Sequence, residues 1–327
     1  MNVKEKLIKV FENNRGSFMS GEELAQRLGC SRAAVWKAVT ALRSDGYAID
    51  AVTGKGYRLA SETDVLSAAA IEKYLSAGSS WLKLDVRKKV EGSSNTLLRE
   101  LAAKGAPEGT AVICGEQTGG KGRRGRSFFS PADTGLYMSI LLRPELSAEN
   151  SVRITTAAAV AVAKAIDECS GGCSSIKWVN DVCLNGLKVC GILTEASLSL
   201  ENGGLDYAVV GIGINAYEPE GGFPPELKGI AGAVFPERRE DMRNRLAAAV
   251  LSGFCRCYED LFSRQLLTLY RSKLMWQGEG IRVISGSGEY PCTLLGVNDS
   301  YALQVRLEDG SEKEISSGEI TIRRQKP

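Results

Sequence analysis

Histidine is absent from the 327 residues, and that absence removes whole classes of chemistry. No Ser-His or Cys-His pair can be assembled, so nucleophilic hydrolysis of that kind is excluded. Zinc sites that need imidazole are excluded with it. No apolar run approaches the length of about 18 residues that a membrane span needs. Residues 1–11 alternate charged and apolar side chains and lack the apolar core of a signal peptide. The nine cysteines (30, 114, 169, 173, 183, 190, 255, 257, 292) are odd in number and scattered through apolar segments. Neither Cys169-x-x-x-Cys173 nor Cys255-x-Cys257 has CxxC spacing with a matched second pair. Reduced thiols in a cytoplasmic protein without membrane contact are the expectation. Also missing are a P-loop, a dinucleotide fingerprint, an internal repeat and any low-complexity tract.

What is present is an ordinary globular composition, 43% hydrophobic and 24% charged, with a formal net charge of +2. The length exceeds what one hydrophobic core usually serves, so two or three domains are expected. Residues 1–60 hold ten Lys/Arg against six Asp/Glu, a surplus of four that exceeds the surplus of the whole chain. Positive charge is therefore concentrated at the head, and the remainder is slightly acidic.

The head reads as a winged helix-turn-helix. Apolar positions at 7, 8, 10 and 11 predict a short helix. Ser20 with Glu23 is a capping-box pattern for a second helix through Leu28. Ser31 can cap a third, with Val35, Val39 and Leu42 as its buried stripe. Arg32, Trp36, Lys37 and Thr40 lie off that stripe, where a major groove could be read. Strand 47–52, the turn Thr53-Gly54-Lys55-Gly56 and a return through Leu59 predict a wing with Lys55 at its tip.

The centre is organised around Gln117-Thr118-Gly119-Gly120-Lys121-Gly122-Arg123-Arg124-Gly125-Arg126. Four glycines let the backbone approach a ligand, and four cations among them suit an anion. The stretch is slung between two apolar runs, 110–114 and 136–142, so a rigid scaffold would position it. Around it the pattern predicts a helix from Ser61 through Tyr74, a strand at 86–90, a helix at 97–104 and an alanine-rich helix at 154–167. Short strands at 175–178 and 182–184 lead to an Asn185-Gly186 hairpin turn and a strand at 188–196. An apolar strand at 207–214 carries Gly211 and Gly213, where a ligand could press on the sheet. Helices at 237–259 and 263–272 follow. Five short strands after Gly278 read as a small barrel.

Several stretches could converge with the basic loop. Ser93-Ser94-Asn95 offers hydroxyls and an amide at a helix start, and Gln117 adds an amide. Lys177-Trp178-Val179-Asn180-Asp181 sets a cation, an aromatic, an amide and a carboxylate side by side. Asp181 is the best candidate for holding Mg2+ against phosphates. Lys188 leads a strand, and Asn215 ends another. Each has a plain alternative: Asp181 as a turn carboxylate, Trp178 as core, Lys188 as a solvated lysine. Cations gathered without a proton-shuttling histidine suit a reaction whose difficulty is negative charge, such as bringing a carboxylate to the α-phosphate of ATP.

Over nearly its whole length the chain resembles bacterial biotin–protein ligases of the class that doubles as biotin operon repressor. The ordered motifs are Ser31-Arg32-x-Ala34-Val35-Trp36-Lys37, Gly54-Lys55-Gly56-Tyr57-Arg58-Leu59, Ser93-Ser94-Asn95, the Gln117-to-Arg126 loop with Ser130-Pro131, and Lys177-Trp178-x-Asn180-Asp181. Then come Lys188-x-x-Gly191-Ile192-Leu193-x-Glu195, Gly211-x-Gly213-Ile214-Asn215 and Ser317-Gly318-Glu319-Ile320. The resemblance implies a winged helix-turn-helix (1–62) and an α/β catalytic domain with a mixed sheet, of the class II aminoacyl-tRNA synthetase-like kind (63–276). An SH3-like barrel (277–327) would follow. It implies biotin and ATP as substrates, with Mg2+, and biotinyl-5'-AMP as the intermediate passed to a lysine of a biotin carboxyl carrier protein.

By that resemblance Ser93, Ser94 and Gln117 would hold the ureido ring of biotin, with Asn95 beside them. Lys121, Arg123 and Lys188 would stabilise charge at the reacting centre. Gly120, Gly122, Arg124 and Arg126 would close over the adenylate. Lys177, Trp178 and Asn180 would serve ATP, and Asp181 its Mg2+. Gly191, Gly211, Gly213 and Asn215 would form walls, and Arg323 would contribute from the barrel. Arg32, Trp36, Lys37 and Lys55 would meet operator DNA as a homodimer promoted by the adenylate. The chain departs from the family at Lys121 (usually Arg), Ser94 (often Thr) and Val179 (usually Pro), and at Ser127-Phe128-Phe129, which lacks a common Trp. A lipoate-type ligase, a regulator that only senses a small acid, and a purely structural nucleic-acid protein are the rivals.

Overall fold

The computed structural model describes residues 2–198, 204–285, 288–316 and 321–324. The chain divides into two compact units, Met1–Ser76 with Glu237–Ala249, and Ala77–Pro236 with Val250–Pro327.

In the first unit, helices α1 (Val3–Asn13), α2 (Gly21–Leu28) and α3 (Arg32–Ser44) precede strands β1 (Ile49–Val52) and β2 (Gly56–Leu59). The hydroxyls of Ser20 and Ser31 accept from the amides of Glu23 and Ala34, capping α2 and α3 as the sequence predicts. Glu23 does not complete the box; its carboxylate pairs with Arg27 one turn on. Leu7, Phe11, Leu24, Val35, Val39, Leu42 and Leu59 form the core, so the stripe read on α3 is the face it buries. Arg32, Trp36 and Lys37 lie on the opposite, exposed face. Gly56, at φ 95°, lets the wing close: a Cβ there would sit 2.1 Å from the Met19 carbonyl oxygen. Lys55 is exposed at the wing tip, its ammonium 5.9 Å from the Phe18 ring centre.

The helix expected from Ser61 begins only at Ala68, as α4 (Ala68–Tyr74), capped by Ser67. The intervening carbonyls are already spent. Arg15 donates to Ser61 and Thr63 O, Arg243 to Asp64 O, and Asn244 to Val65 O. A buried polar knot results. Asp241, fully buried, accepts from Tyr74 Oη at 2.8 Å and from Asn244 Nδ2 at 2.8 Å, with Arg15 at 3.1 Å. Glu12 shares Arg15, and burial pushes its carboxyl above the ordinary value despite that partner. The helix expected from residue 237 likewise starts later, at Met242, because Asp241 adopts φ 57°.

In the second unit, β3 (Lys83–Arg87), α5 (Ser94–Ala103), β4 (Thr110–Cys114), β5 (Gly135–Leu142), α6 (Val152–Ser170), β6 (Ser174–Lys177), β7 (Asp181–Leu184), β8 (Leu187–Leu198) and β9 (Leu205–Asn215) follow in turn. The strands form one seven-stranded mixed sheet ordered β3-β4-β5-β9-β8-β7-β6, with only β3 and β4 parallel. The first strand sits three residues earlier than the pattern predicts, and α5 starts at Ser94, which puts Ser94 and Asn95 in its first turn. The Asn185-Gly186 turn has both residues at positive φ, 52° and 79°, as a two-residue hairpin demands. Thr155 on α6 meets Thr194, whereas Asn95 on α5 meets Glu195. Adjacent strand residues face opposite ways, so α5 and α6 cover opposite faces of the sheet.

Helix α7 (Met242–Glu259) and α8 (Arg264–Ser272) lead to β10 (Gly280–Ser285), β11 (Gly288–Val297), β12 (Leu303–Arg306), β13 (Glu312–Ile315) and β14 (Thr321–Arg324). These five form an antiparallel sheet ordered β13-β12-β11-β10-β14. No pairing among the described residues closes it into a barrel. The Ser317-Gly318-Glu319-Ile320 motif lies outside the described residues.

Candidate active site

Across the sheet, Asp181 of β7 stands opposite Gly191 of β8, Gly191 opposite Gly213 of β9, and Gly213 opposite Tyr137 of β5. This row underlies an open cleft. Its walls include Ser93, Ser94 and Asn95 from the start of α5, Gln117, the basic stretch at Lys121, Gly122, Arg123, Arg124 and Arg126, and the Lys177, Trp178, Asn180, Asp181 and Lys188 group. Gly191, Gly211 and Gly213 complete it. Six cationic side chains and one carboxylate thus share one cavity.

The basic stretch is an ordered hairpin. Lys121 bridges Ser127, Gly122 N–H donates to Arg126 O at 2.8 Å, and Phe128 N–H donates to Gly120 O at 2.9 Å. Its base is tied to the turn before α5, where Gly119 N–H reaches Gly92 O at 2.8 Å. Arg124 sits at φ 60° at the tip. Arg123 turns inward and donates to Asn180 Oδ1 at 3.1 Å, and burial holds its guanidinium below the ordinary value. Lys121, Arg124 and Arg126 remain exposed.

On the other wall, Lys188 Nζ lies 2.6 Å from Asp181 Oδ1, and Asn180 Nδ2 donates to Ile192 O at 2.9 Å. Lys177 is depressed below the usual lysine value, first by burial and then by the neighbouring charges of Lys188 and Arg323, against the pull of Asp181. Trp178 is buried, and its indole N–H donates to Tyr301 O at 2.9 Å while still lining the cleft. Tyr270 Oη donates to the Val179 carbonyl at 3.3 Å, so this turn is pinned even though Val replaces the expected proline.

Two glycines serve protein side chains. A Cβ on Gly211 would fall 2.2 Å from Asn95 Oδ1, and one on Gly213 would fall 2.6 Å from the Phe128 ring. The ring of Phe128 also meets Tyr137 edge-on, with centres 6.3 Å apart. Three expected residues stand outside the lining. Gly120 is closed in by Phe128 O and Ser130 Oγ, Asn215 donates to Gly232 O at 3.0 Å, and Arg323 is exposed on β14, opposite Arg282. Residues not singled out from sequence also line the cleft, among them Tyr137, Met138, Ile192 and Ile212. Ser139 was missed altogether. Fully buried, it bonds both Ser94 and Asn95, and its signal was a lone small hydroxyl within the apolar run 136–142.

Residues 3–58 match an HTH domain model, and residues 88–215 match the biotin/lipoate A/B protein ligase family. The bifunctional ligase/repressor BirA of Bacillus subtilis is 34% identical, the match covering 98% of each chain. The protein of that description from Escherichia coli is 29% identical, covering 98% of this chain and 97% of its own. Among solved structures, biotin protein ligase from Aquifex aeolicus in complex with biotin and ATP superposes with a TM-score of 0.63 at 29% identity, covering 74% of this chain and 99% of that one. The cleft, the helix-turn-helix match and a likeness that runs almost end to end agree: the chain belongs to the bifunctional ligase/repressor family of biotin–protein ligases.

Proposed function

We propose that the chain joins biotin to ATP, giving biotinyl-5'-AMP and pyrophosphate, and then passes biotin to a lysine of a biotin carboxyl carrier domain, releasing AMP. One observation carries this reading: six cations and a single carboxylate share a cleft with the hydroxyl and amide groups at the start of α5. The biotin carboxylate attacks the α-phosphorus, a new O–P bond forms, and the bond to pyrophosphate breaks. Negative charge grows on phosphorus and on the leaving group. Arg123, held by Asn180, and Lys188, held by Asp181, are placed before the reaction, so their stabilisation needs little reorganisation. Lys121, Arg124 and Arg126, exposed on the hairpin, suit closure over the adenylate and exclusion of water.

Among the described residues that line the cleft, Asp181 is the one carboxylate, which fits a Mg2+ that arrives on phosphates and keeps most of its waters. It would hold the ion, which neutralises phosphate charge when bound. In the second step the carrier lysine attacks the acyl carbon, and the anhydride C–O bond breaks toward AMP.

The same chain represses transcription, with Arg32, Trp36, Lys37 and Lys55 meeting operator DNA and biotinyl-5'-AMP as corepressor. The adenylate drives homodimer formation if it binds the dimerising form more tightly. The five-stranded sheet reads as an SH3-like barrel and the mixed sheet as the class II aminoacyl-tRNA synthetase-like fold, with boundaries near residues 62 and 276. The nine cysteines, in no disulfide among the described residues, support a cytoplasmic setting. The test is incubation with ATP, Mg2+, labelled biotin and a carrier domain. Labelled carrier supports the ligase; pyrophosphate release with lipoate but not biotin overturns it. Sedimentation that does not change with biotin and ATP overturns the dimer.

A further inference from the structure

Asn215 closes the Gly211-x-Gly213-Ile214-Asn215 motif, yet it stands outside the cleft lining. What it holds is the return leg of the loop that follows β9. The leg, residues 230–235, is stitched to the end of β9, where Val234 N–H donates to Asn215 O and Phe235 N–H to Ala216 O, both at 2.9 Å. Its other end lies along β8. Lys188 N–H donates to Ile230 O at 2.7 Å, and Gly232 N–H donates to Lys188 O at 2.9 Å. The backbone donor and acceptor of Lys188 are both engaged by this leg.

Pairing of β8 with β9 starts only at Cys190, opposite Ile214. Beside Lys188 the leg takes the place of β9, bridging it at Ala231, while β7 sets Cys183 opposite on the other side. The leg emerges from a loop, residues 218–229, in which no residue is buried. Its middle is tied to the sheet by a side chain: Asn215 Nδ2 donates to Gly232 O at 3.0 Å. A backbone carbonyl can only accept, so the amide has one orientation. Gly232 thus spends its N–H on Lys188 and its carbonyl on Asn215. It must also be small, since a Cβ there would fall 2.8 Å from the Cβ of Leu187, the neighbour of Lys188.

We propose that Asn215 is a positioning residue for Lys188, acting through Gly232, so that a side chain outside the cleft sets where the ammonium within it stands. This rests on the ligase reading for what Lys188 does; the grip on its backbone follows from the hydrogen bonds alone. Asp181, 2.6 Å from the Lys188 ammonium, aims the side chain. That aim is only as accurate as the backbone from which the side chain starts. A misplacement on the order of 1 Å can cost about 100-fold in rate.

The test compares full-length wild type, Asn215→Ala and Asn215→Asp in labelled-biotin transfer to a carrier domain, each with Lys188 intact and with Lys188→Ala. Asp keeps the shape of the side chain but sets an acceptor against the Gly232 carbonyl. Both substitutions should lower kcat by roughly 10- to 100-fold and leave KM for biotin within about twofold. In the Lys188→Ala background they should cost at most about twofold more, because residues that act as a unit are not additive. Equal losses in the two backgrounds overturn the proposal, and so does a kcat within about twofold of wild type. Amide hydrogen exchange gives a readout apart from activity. In both variants the Lys188 and Gly232 amides should exchange at least roughly tenfold faster, while those of β4 and β5 keep their protection. Unmoved exchange at Lys188 overturns the grip, and so does protection lost from β4 and β5 as well. If wild type labels no carrier, the ligase reading fails by itself. The exchange rates then decide on the same terms whether Asn215 holds Lys188 in place.

Discussion

Lys188 Nζ sits 2.6 Å from Asp181 Oδ1, across the hairpin formed by β7 and β8. The cation assigned to the reacting anhydride is thus aimed by a neighbour on the adjacent strand. Replacing Lys188 with Ala should lower kcat for labelled-biotin transfer by roughly 100- to 1,000-fold, the usual cost of one preorganised charge at a developing anion. Transfer that persists undiminished would remove Lys188 from the mechanism.

The indole of Trp178 reaches the Tyr301 carbonyl, and Tyr270 stands edge-on to Tyr301 with centres 5.3 Å apart while holding the Val179 carbonyl. Trp178→Phe keeps an aromatic ring but drops the N–H and the five-membered half of the indole, leaving a carbonyl buried without that donor. It should cost about 1–2 kcal/mol in urea unfolding and raise KM for ATP more than KM for biotin. An unchanged KM for ATP would detach this turn from nucleotide binding.

Gly211 and Gly122 both line the cleft, yet they should respond differently to Ala. A Cβ on Gly211 would overlap Asn95 Oδ1 at 2.2 Å, whereas one on Gly122 would meet its nearest atom, Arg126 O, at 3.5 Å. Gly211→Ala should lose about 1–3 kcal/mol from overpacking, and Gly122→Ala should leave the melting temperature nearly unmoved. Equal losses would mean that the floor yields more easily than its geometry implies.

Burial alone would raise the Asp167 carboxyl. The hydrogen bonds from Lys273 and from the Ser174 amide overcome that and hold it below its ordinary value. A carboxyl depressed in the folded state contributes stability that is complete above its unfolded value and fades as pH falls through the folded one. Asp167→Asn should therefore lose about 0.5–1 kcal/mol near neutrality and show a flatter decline below about pH 4. A parallel decline in mutant and wild type would assign the acid limb to other groups.

Lys37 lies on the exposed face of α3, away from the Val35, Val39 and Leu42 stripe. If it meets a phosphate, Lys37→Ala should reduce the slope of log affinity against log salt by about 1 for all sequences alike. Fluorescence anisotropy across a salt series reads that slope, and an unchanged one places Lys37 off the DNA.

Local chemistry was well read from sequence where neighbours in the chain decide the outcome. The bounds of Thr110–Cys114 and Gly135–Leu142, the caps at Ser20 and Ser31, and the turn at Asn185-Gly186 are of that kind. What escaped was set by residues distant in sequence. The stretch 61–67 stays out of a helix because Arg15, Arg243 and Asn244 take its carbonyls. Gly211 and Gly213 line the cleft as read, but the side chains their missing Cβ atoms seat, Asn95 and Phe128, could not be read from their neighbours in the chain. Ser139, within the apolar strand, drew no reading at all, because the groups it bonds, Ser94 and Asn95, lie more than forty residues away in the chain.

The knot around Asp241 bears on how the head could be cut from the rest. A fragment ending at residue 62 would retain Glu12 and Arg15 but discard Asp241, Asn244 and the Asp64–Arg243 pair, although all pack in one unit with them. An arginine shaped to serve two carboxylates would keep only one, and the apolar side of α1 would lose its lid from α4. Such a piece would be a poor proxy for the intact DNA-binding module, and extending it to residue 76 with residues 237–249 spliced back on is the natural repair.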